Sequence, residues 1–219
     1  MSPNPAMSRP RQPPGHRFRI ALIAAALLMP FAGTGFAAPA GSVVGLSGTC
    51  FVESGGQRAP LRIGQQVQVT DTVDVAADGK LKLRMTDGSV ISVGAGSRVT
   101  VSAYATDAGG QRQTAQLSLA QGLLRAAVSP MGRPASFEVN TAVGTAAVRG
   151  TDWFIEALPG SAQVGVLEGS VSLTSAATRR TETIPARWGA RLEAGRDPVP
   201  ARVWSPAEFQ AVITRTEVP

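Results

Sequence analysis

Histidine and cysteine are almost absent from this chain of 219 residues, which contains one of each. The single cysteine, Cys50, cannot form an internal disulfide framework or a cysteine-based zinc site. The single histidine, His16, lies close to the start. The rest of the chain therefore has no imidazole for a catalytic triad, a cysteine–histidine pair or a histidine-ligated metal.

Charged residues are also scarce, at 16% of the chain. The acids are scattered singly, with Asp71 and Asp74 as the closest pair, and Lys80 and Lys82 are the only lysines. Nothing clusters as an acid–base site would. We therefore predict that the protein is not an enzyme and has no catalytic residues, no cofactor and no metal.

The net charge of +6, from 21 basic and 15 acidic residues, suggests a nucleic acid or an anionic surface as partner. Its placement argues otherwise, because Arg9, Arg11, Arg17 and Arg19 precede an uncharged run and no acid accompanies them. Without residues 1–37 the remaining 182 residues carry a net charge near +2. We expect no nucleic-acid partner.

The first 37 residues resemble a secretory signal peptide. A basic segment precedes an apolar core, Ile20–Met29, and small residues follow, with Gly35 and Ala37 placed for cleavage after residue 37. We predict a periplasmic or otherwise exported protein. The alternative is an uncleaved anchor, since the 21 uncharged residues Ile20–Ala40 could just span a bilayer, although Pro30 disfavours a membrane helix. Membrane contact would then occur only through this segment.

From Ser42 onward, apolar and polar residues alternate. Leu81, Leu83 and Met85 fall on one face of a strand, and the three cations that alternate with them fall on the other, which is most simply a solvated face. Turn residues interrupt such runs every 6 to 12 positions. The pattern predicts an all-β fold over residues 38–195.

Two stretches, 115–123 and 162–170, repeat the order strand, two-residue corner, glycine, strand. Such corners fit a solenoid-like arrangement of short strands or a sandwich with two similar hairpins, and the pattern leaves both open. Residues 196–219 read as a linker and a short C-terminal helix. Ser205 is the expected N-cap, with Pro206 at the first helical position and Glu208 at the third.

Several motifs occur in an order that resembles the FecR-like domain family. The segments that carry the resemblance are Gly41–Gly48, Leu61–Val73, Leu81–Ser89, Leu117–Gly122, Asn140–Phe154 and Val166–Val171. The sharpest is Asn140–Phe154, which reads NTAVGTAAVRGTDWF. The resemblance covers roughly Ser42 to Leu173.

The resemblance implies a periplasmic sensing module of the kind found in iron-citrate-type signalling regulators. At most 19 residues precede the apolar core, so we expect no cytoplasmic helical domain, and we expect no further module after Leu192. The resemblance thus implies the sensing or scaffold fold rather than the complete regulatory mechanism.

Two groups of residues are candidate contacts with a partner or ligand. The first is Arg149, Gly150 and Thr151, where glycine allows close approach of the backbone, although a tight corner explains it equally. The second is Arg187, Trp188 and Arg191, which could stack a sugar or an anionic polymer. Trp188 could instead close the open end of the β domain.

We therefore expect an exported, non-catalytic envelope binding or signal-relay module, whose partner is an envelope protein or a glycan. The alternatives are a membrane-anchored regulator of iron-transport-type signalling and a glycan-binding envelope module. Cys50 lies in an apolar strand, so a buried side chain is favoured over a reactive thiol.

Overall fold

The computed structural model describes residues 39–130 and 136–218, so the predicted signal peptide lies outside the described residues. The described part contains seventeen strands and one helix. In chain order they are β1 (Pro39–Ser47), β2 (Cys50–Ser54), β3 (Gln57–Pro60), β4 (Gln66–Gln68), β5 (Thr72–Val75), β6 (Lys80–Met85), β7 (Val90–Val93), β8 (Ser97–Thr106), β9 (Arg112–Ala127), β10 (Ser136–Asn140), β11 (Gly144–Val148), β12 (Asp152–Leu158), β13 (Ser161–Glu168), β14 (Ser170–Ser175), β15 (Thr181–Pro185), β16 (Trp188–Glu193), β17 (Arg202–Val203) and α1 (Pro206–Thr216).

The strands form one continuous open sheet that folds over into two layers at the long strand β9. Sheet A has the order β4-β1-β6-β7-β9-β12-β13-β16-β17, and sheet B has the order β3-β2-β5-β8-β9-β10-β11-β14-β15. All neighbours are antiparallel except β9 and β10. The predicted all-β fold with a short C-terminal helix is confirmed.

The repeated corners predicted from sequence mark places where the chain changes sheets. At Gly122 the strand β9 passes from sheet B to sheet A, and at Gly169 the chain returns from β13 to β14. Both glycines have positive φ, +92° and +85°, which other residues rarely adopt. The fold is thus a two-layer sandwich whose chain alternates between the layers, as in a solenoid.

One hydrophobic core fills the space between the sheets. Alternation places Leu81, Leu83 and Met85 of β6 in it, as predicted. The bulkiest buried side chains of this core include Ile91, Leu117, Phe137 and Trp153, which come from β7, β9, β10 and β12. Cys50 also lies in this core, and its burial, with the charge of Asp78, raises the pKa of the thiol to about 11. A buried, unreactive thiol fits the prediction.

A second, smaller cluster lies on the outer face of sheet A, beneath α1. It consists of Leu123, Phe154, Trp204, Phe209 and Val212. The predicted capping box is present, because the Ser205 side chain accepts from the Glu208 N–H and the Glu208 carboxylate accepts from the Ser205 N–H. Trp204 immediately precedes the N-cap, and its ring lies 5.6 Å from that of Phe209. The pair forms a hydrophobic staple that fixes the helix on the sheet.

Candidate functional site

The first predicted contact group forms a corner between β11 and β12. Gly150 has φ +61°, and a Cβ on it would lie 2.8 Å from the Cα of Pro130. Thr151 is only 2% exposed, and its hydroxyl donates to the carbonyl oxygen of Ser170 at 3.2 Å. Both residues therefore support the corner itself, and Arg149 is the exposed member of the group.

This corner lies beside a cavity of about 300 Å³, lined in part by Pro130, Gly150, Asp152 and Glu168. Asp152 is not free for a ligand, because Arg125 holds its carboxylate with two hydrogen bonds of 3.0 and 2.8 Å. The pair raises the pKa of Arg125. Among the described residues that line the cavity, Glu168 is the charged side chain without a partner.

The second predicted group lies along the edge of sheet A formed by β16 and β17. Trp188 is 37% exposed and pairs across the strands with Val203, which is 60% exposed. Arg187 directly precedes Trp188 in a positive-φ turn, and its carbonyl oxygen accepts from the Trp204 N–H. We call Arg187, Trp188 and Val203 the β17 edge. The residues combine an exposed indole, an exposed aliphatic side chain and a cation.

Trp188 and Arg191 do not share a face of β16. Residues three apart on a strand point to opposite sides, and Ala190 and Leu192, on the side of Trp188, belong to the inter-sheet core. Arg191 faces outward and lines a cleft of about 220 Å³ together with Gln163, Arg202 and Trp204. Trp188 and Arg191 therefore cannot contact the same sugar from one face of β16.

The residue that sequence reasoning missed is Trp204. It is 6% exposed and packs on Phe154, with ring centroids 5.3 Å apart. A Cβ on Gly189 would collide with its indole, so the glycine makes room for the ring. The spacing of Trp204 and Phe209 around Ser205 was a readable signal, because it matches the hydrophobic staple.

The electrostatics around α1 hold the helix in place. Arg202 donates to the Glu208 carboxylate at 2.6 Å, and this bond, with the Ser205 N–H, lowers the pKa of Glu208 to about 2. Arg215 pairs with Glu156 of β12, which raises the arginine's pKa. Lys80 donates to the carbonyl oxygen of Thr214 at the helix C-terminus. One of the three predicted β6 cations therefore contacts the helix.

Residues 71–172 match the family model described as FecR protein. These residues form a FecR domain. The domain runs from the start of β5 into β14, a narrower range than the resemblance from Ser42 to Leu173 indicated. The Arg149–Thr151 corner lies within it, whereas the β17 edge and α1 follow it in the chain.

Solved structures share the fold of this chain. Two crystal structures of a candidate anti-sigma factor from Parabacteroides distasonis superpose with TM-scores of 0.54 and 0.53, each at 13% identity. Each match covers 64% of this chain and 63% or 62% of the other, so less than two thirds of the relative is spanned. No curated protein matches the sequence. At this identity the likeness establishes the fold alone.

The described residues contain no helix with the length and hydrophobicity needed to cross a membrane. Across residues 39–130 and 136–218, no three His, Cys, Asp or Glu side chains gather as metal ligands would.

Proposed function

We propose that this protein is an exported, non-catalytic signal-relay module that acts by binding an envelope protein through the β17 edge. The FecR domain supports a role in signalling regulation. The proposal is consistent with the fold shared with a candidate anti-sigma factor.

The observation that carries the choice of surface is the exposure of Trp188 and Val203 beside Arg187. Tryptophan and arginine dominate the binding energy of many protein interfaces, and an exposed apolar pair on a sheet edge is otherwise costly. Edge strand β17 has only two residues, which limits self-association through main-chain pairing. The surface therefore fits side-chain recognition by a protein partner.

The test measures binding of the full chain to membrane and periplasmic proteins of its own cells after affinity capture. We expect Trp188→Ala to reduce recovery of a specific partner at least about tenfold, the usual effect at a hot spot. Gln210→Ala, on the exposed side of α1, is the matched control and should leave recovery unchanged. Equal recovery with both variants would overturn the proposed surface.

The second candidate is a membrane-anchored regulator that keeps its N-terminal segment. The uncharged run Ile20–Ala40 favours it, because 21 residues suffice for a span. N-terminal sequencing of the protein from the envelope distinguishes the two. A chain that starts after Ala37 supports the exported form, and an intact Arg9–Arg19 segment supports the anchored one.

A further inference from the structure

A cleft on the outer face of sheet B lies apart from the β17 edge. Its volume is about 430 Å³, within the range of small-molecule sites. It is lined by residues of β10, β11 and β14 and by Arg149, which directly follows β11; the strand residues are Ser136, Phe137, Glu138, Ala147, Val148, Ser170 and Ser172. We call it the serine cleft.

The depression follows from the register of three strands. Glu138 of β10 pairs with Ala147 of β11, which pairs with Ser172 of β14. Two residue pairs closer to the β10–β11 hairpin, at the next outward-facing position, the equivalent of Ala147 is Thr145, a larger side chain. The small alanine methyl group therefore forms the floor, and longer polar side chains form the rim.

The polar side chains of this cleft have no partners within residues 39–130 and 136–218. The hydroxyls of Ser136, Ser170 and Ser172, the Glu138 carboxylate and the Arg149 guanidinium make no hydrogen bond or ion pair there.

Elsewhere on the outer face of sheet B, several hydroxyls do form pairs. Thr145 donates to Asn140 at 2.6 Å, Thr174 and Thr181 share a hydrogen bond of 2.9 Å, and Thr72 and Thr100 share one of 2.8 Å. Ser118 and Thr183 on this face also lack a partner within the described residues, so an unpaired hydroxyl alone does not mark a site. The serine cleft differs in that a carboxylate, a guanidinium and three hydroxyls, all unpaired, line one depression, and this combination points to a ligand.

The residue types define that ligand. A guanidinium binds a carboxylate with two parallel hydrogen bonds, and serine hydroxyls and a carboxylate exchange hydrogen bonds with ligand hydroxyls. Glu138 would repel a doubly charged phosphate. Phe137 is fully buried, so it offers no ring face for stacking. The cleft suits a hydroxyl-rich molecule that carries a single carboxylate per unit.

We propose that the serine cleft binds a short acidic oligosaccharide of the uronic-acid type, with a carboxylate on Arg149 and sugar hydroxyls on Glu138 and the serines. This inference goes beyond the proposed protein-binding role, since the cleft contains neither Trp188 nor Val203. Loss of one activity need not remove the other.

The experiment titrates the full chain with trigalacturonate by calorimetry at low ionic strength, with maltotriose as the neutral probe of equal length. We expect trigalacturonate to bind at least about tenfold more tightly than maltotriose, because the charge-assisted pair with Arg149 is available only to the acid. Added NaCl should weaken the trigalacturonate complex. Equal affinity for the two sugars, or no binding of trigalacturonate, overturns the proposal.

Variants locate the site. Arg149→Gln should weaken trigalacturonate binding at least about tenfold. Ala147→Phe should weaken it by a similar factor, because the larger side chain would occupy the bottom of the serine cleft. Arg84→Gln is the matched control, an exposed cation on β6 of sheet A, and should leave affinity unchanged. Melting curves show whether Ala147→Phe folds, and Arg149→Gln replaces an exposed side chain, so the test does not depend on the first variant alone.

Glu138→Gln separates a sugar from an amine ligand. Glutamine still hydrogen-bonds hydroxyls and no longer repels the ligand carboxylate, so trigalacturonate binding should be retained or strengthened. A tenfold loss would mean that Glu138 binds a positive group, and would overturn the assignment.

Discussion

The outer faces of the two sheets are built in opposite ways. On sheet A, Leu123 and Phe154 point outward and α1 covers them with Phe209 and Val212. On sheet B, most outward side chains are polar or small, the aromatic Phe51 is stacked by Arg58, and no helix covers this face in the described residues. The same strand alternation therefore produces an apolar patch on sheet A, which α1 shields from water, and a mostly polar outer face on sheet B, which is stable in contact with water. The part of sheet A beneath α1 is therefore closed to a partner, whereas sheet B and the sheet edges are open.

The two sheets should differ most in the stability lost when one outward side chain on each is truncated to alanine. Phe154→Ala should destabilise the fold by about 4 kcal/mol, because the aromatic ring is buried between Trp204 and Phe209. Thr174→Ala on sheet B removes only an exposed hydroxyl–hydroxyl contact and should cost less than about 1 kcal/mol. Urea unfolding of both variants measures the difference. Equal losses of stability in the two variants would show that α1 does not shield the outer face of sheet A from water.

A glycine on sheet A should resist substitution more than an alanine on sheet B. A Cβ on Gly165 would collide with the Phe154 ring, so Gly165→Ala should cost roughly 1–3 kcal/mol through overpacking. Ala147→Val, in the open serine cleft, is the matched change and should be within about 0.5 kcal/mol of the parent. Thermal unfolding compares the two. A tolerated Gly165→Ala would mean that Phe154 is free to move away.

Much of this contrast could be predicted from the sequence. Alternation in β6 and the capping box at Ser205 follow from local chemistry, and both are present. The repeat around Gly122 and Gly169 can be recognised in the sequence. That the chain changes sheets there could not be predicted, because it depends on which distant strands pair with each half of β9.

The candidate site was less accessible to sequence reasoning. That Trp188 and Arg191 lie on opposite faces follows from their spacing once β16 is recognised as a strand. Exposure of Trp188 could not be predicted, since it depends on the two-residue length of β17. The serine cleft depends on lateral register among β10, β11 and β14, which no local pattern specifies.

Loss of the N-cap should destabilise α1 on sheet A without changing the side chains of the aromatic cluster beneath it. Ser205→Ala removes the side chain that accepts from the Glu208 N–H and should cost about 1 kcal/mol. Ser205→Asp preserves an acceptor and should recover most of the loss. Urea unfolding measures stability, and near-ultraviolet circular dichroism follows the packing of Trp204. A free energy of unfolding of Ser205→Ala equal to that of the parent would contradict the role of the cap.

The smallest effect is an acid dependence confined to the helix. Folding lowers the pKa of Glu208 from 4.5 to about 2, chiefly through Arg202, so its contribution is complete above pH 4.5 and is lost as the pH falls towards 2. Glu208→Gln should flatten this part of the stability profile relative to the parent chain. Parallel profiles for the two proteins between pH 4.5 and 2 would exclude the linkage.

The most direct test of the proposed binding role is photocrosslinking in living cells. A crosslinking amino acid at Val203, on the exposed edge, and another at Gln210, on the exposed side of α1, report which surface meets a partner. We predict one discrete adduct from position 203, which Trp188→Ala abolishes, and none from position 210. An adduct from position 210 alone, or one from position 203 that persists in Trp188→Ala, would contradict the β17 edge as the binding surface.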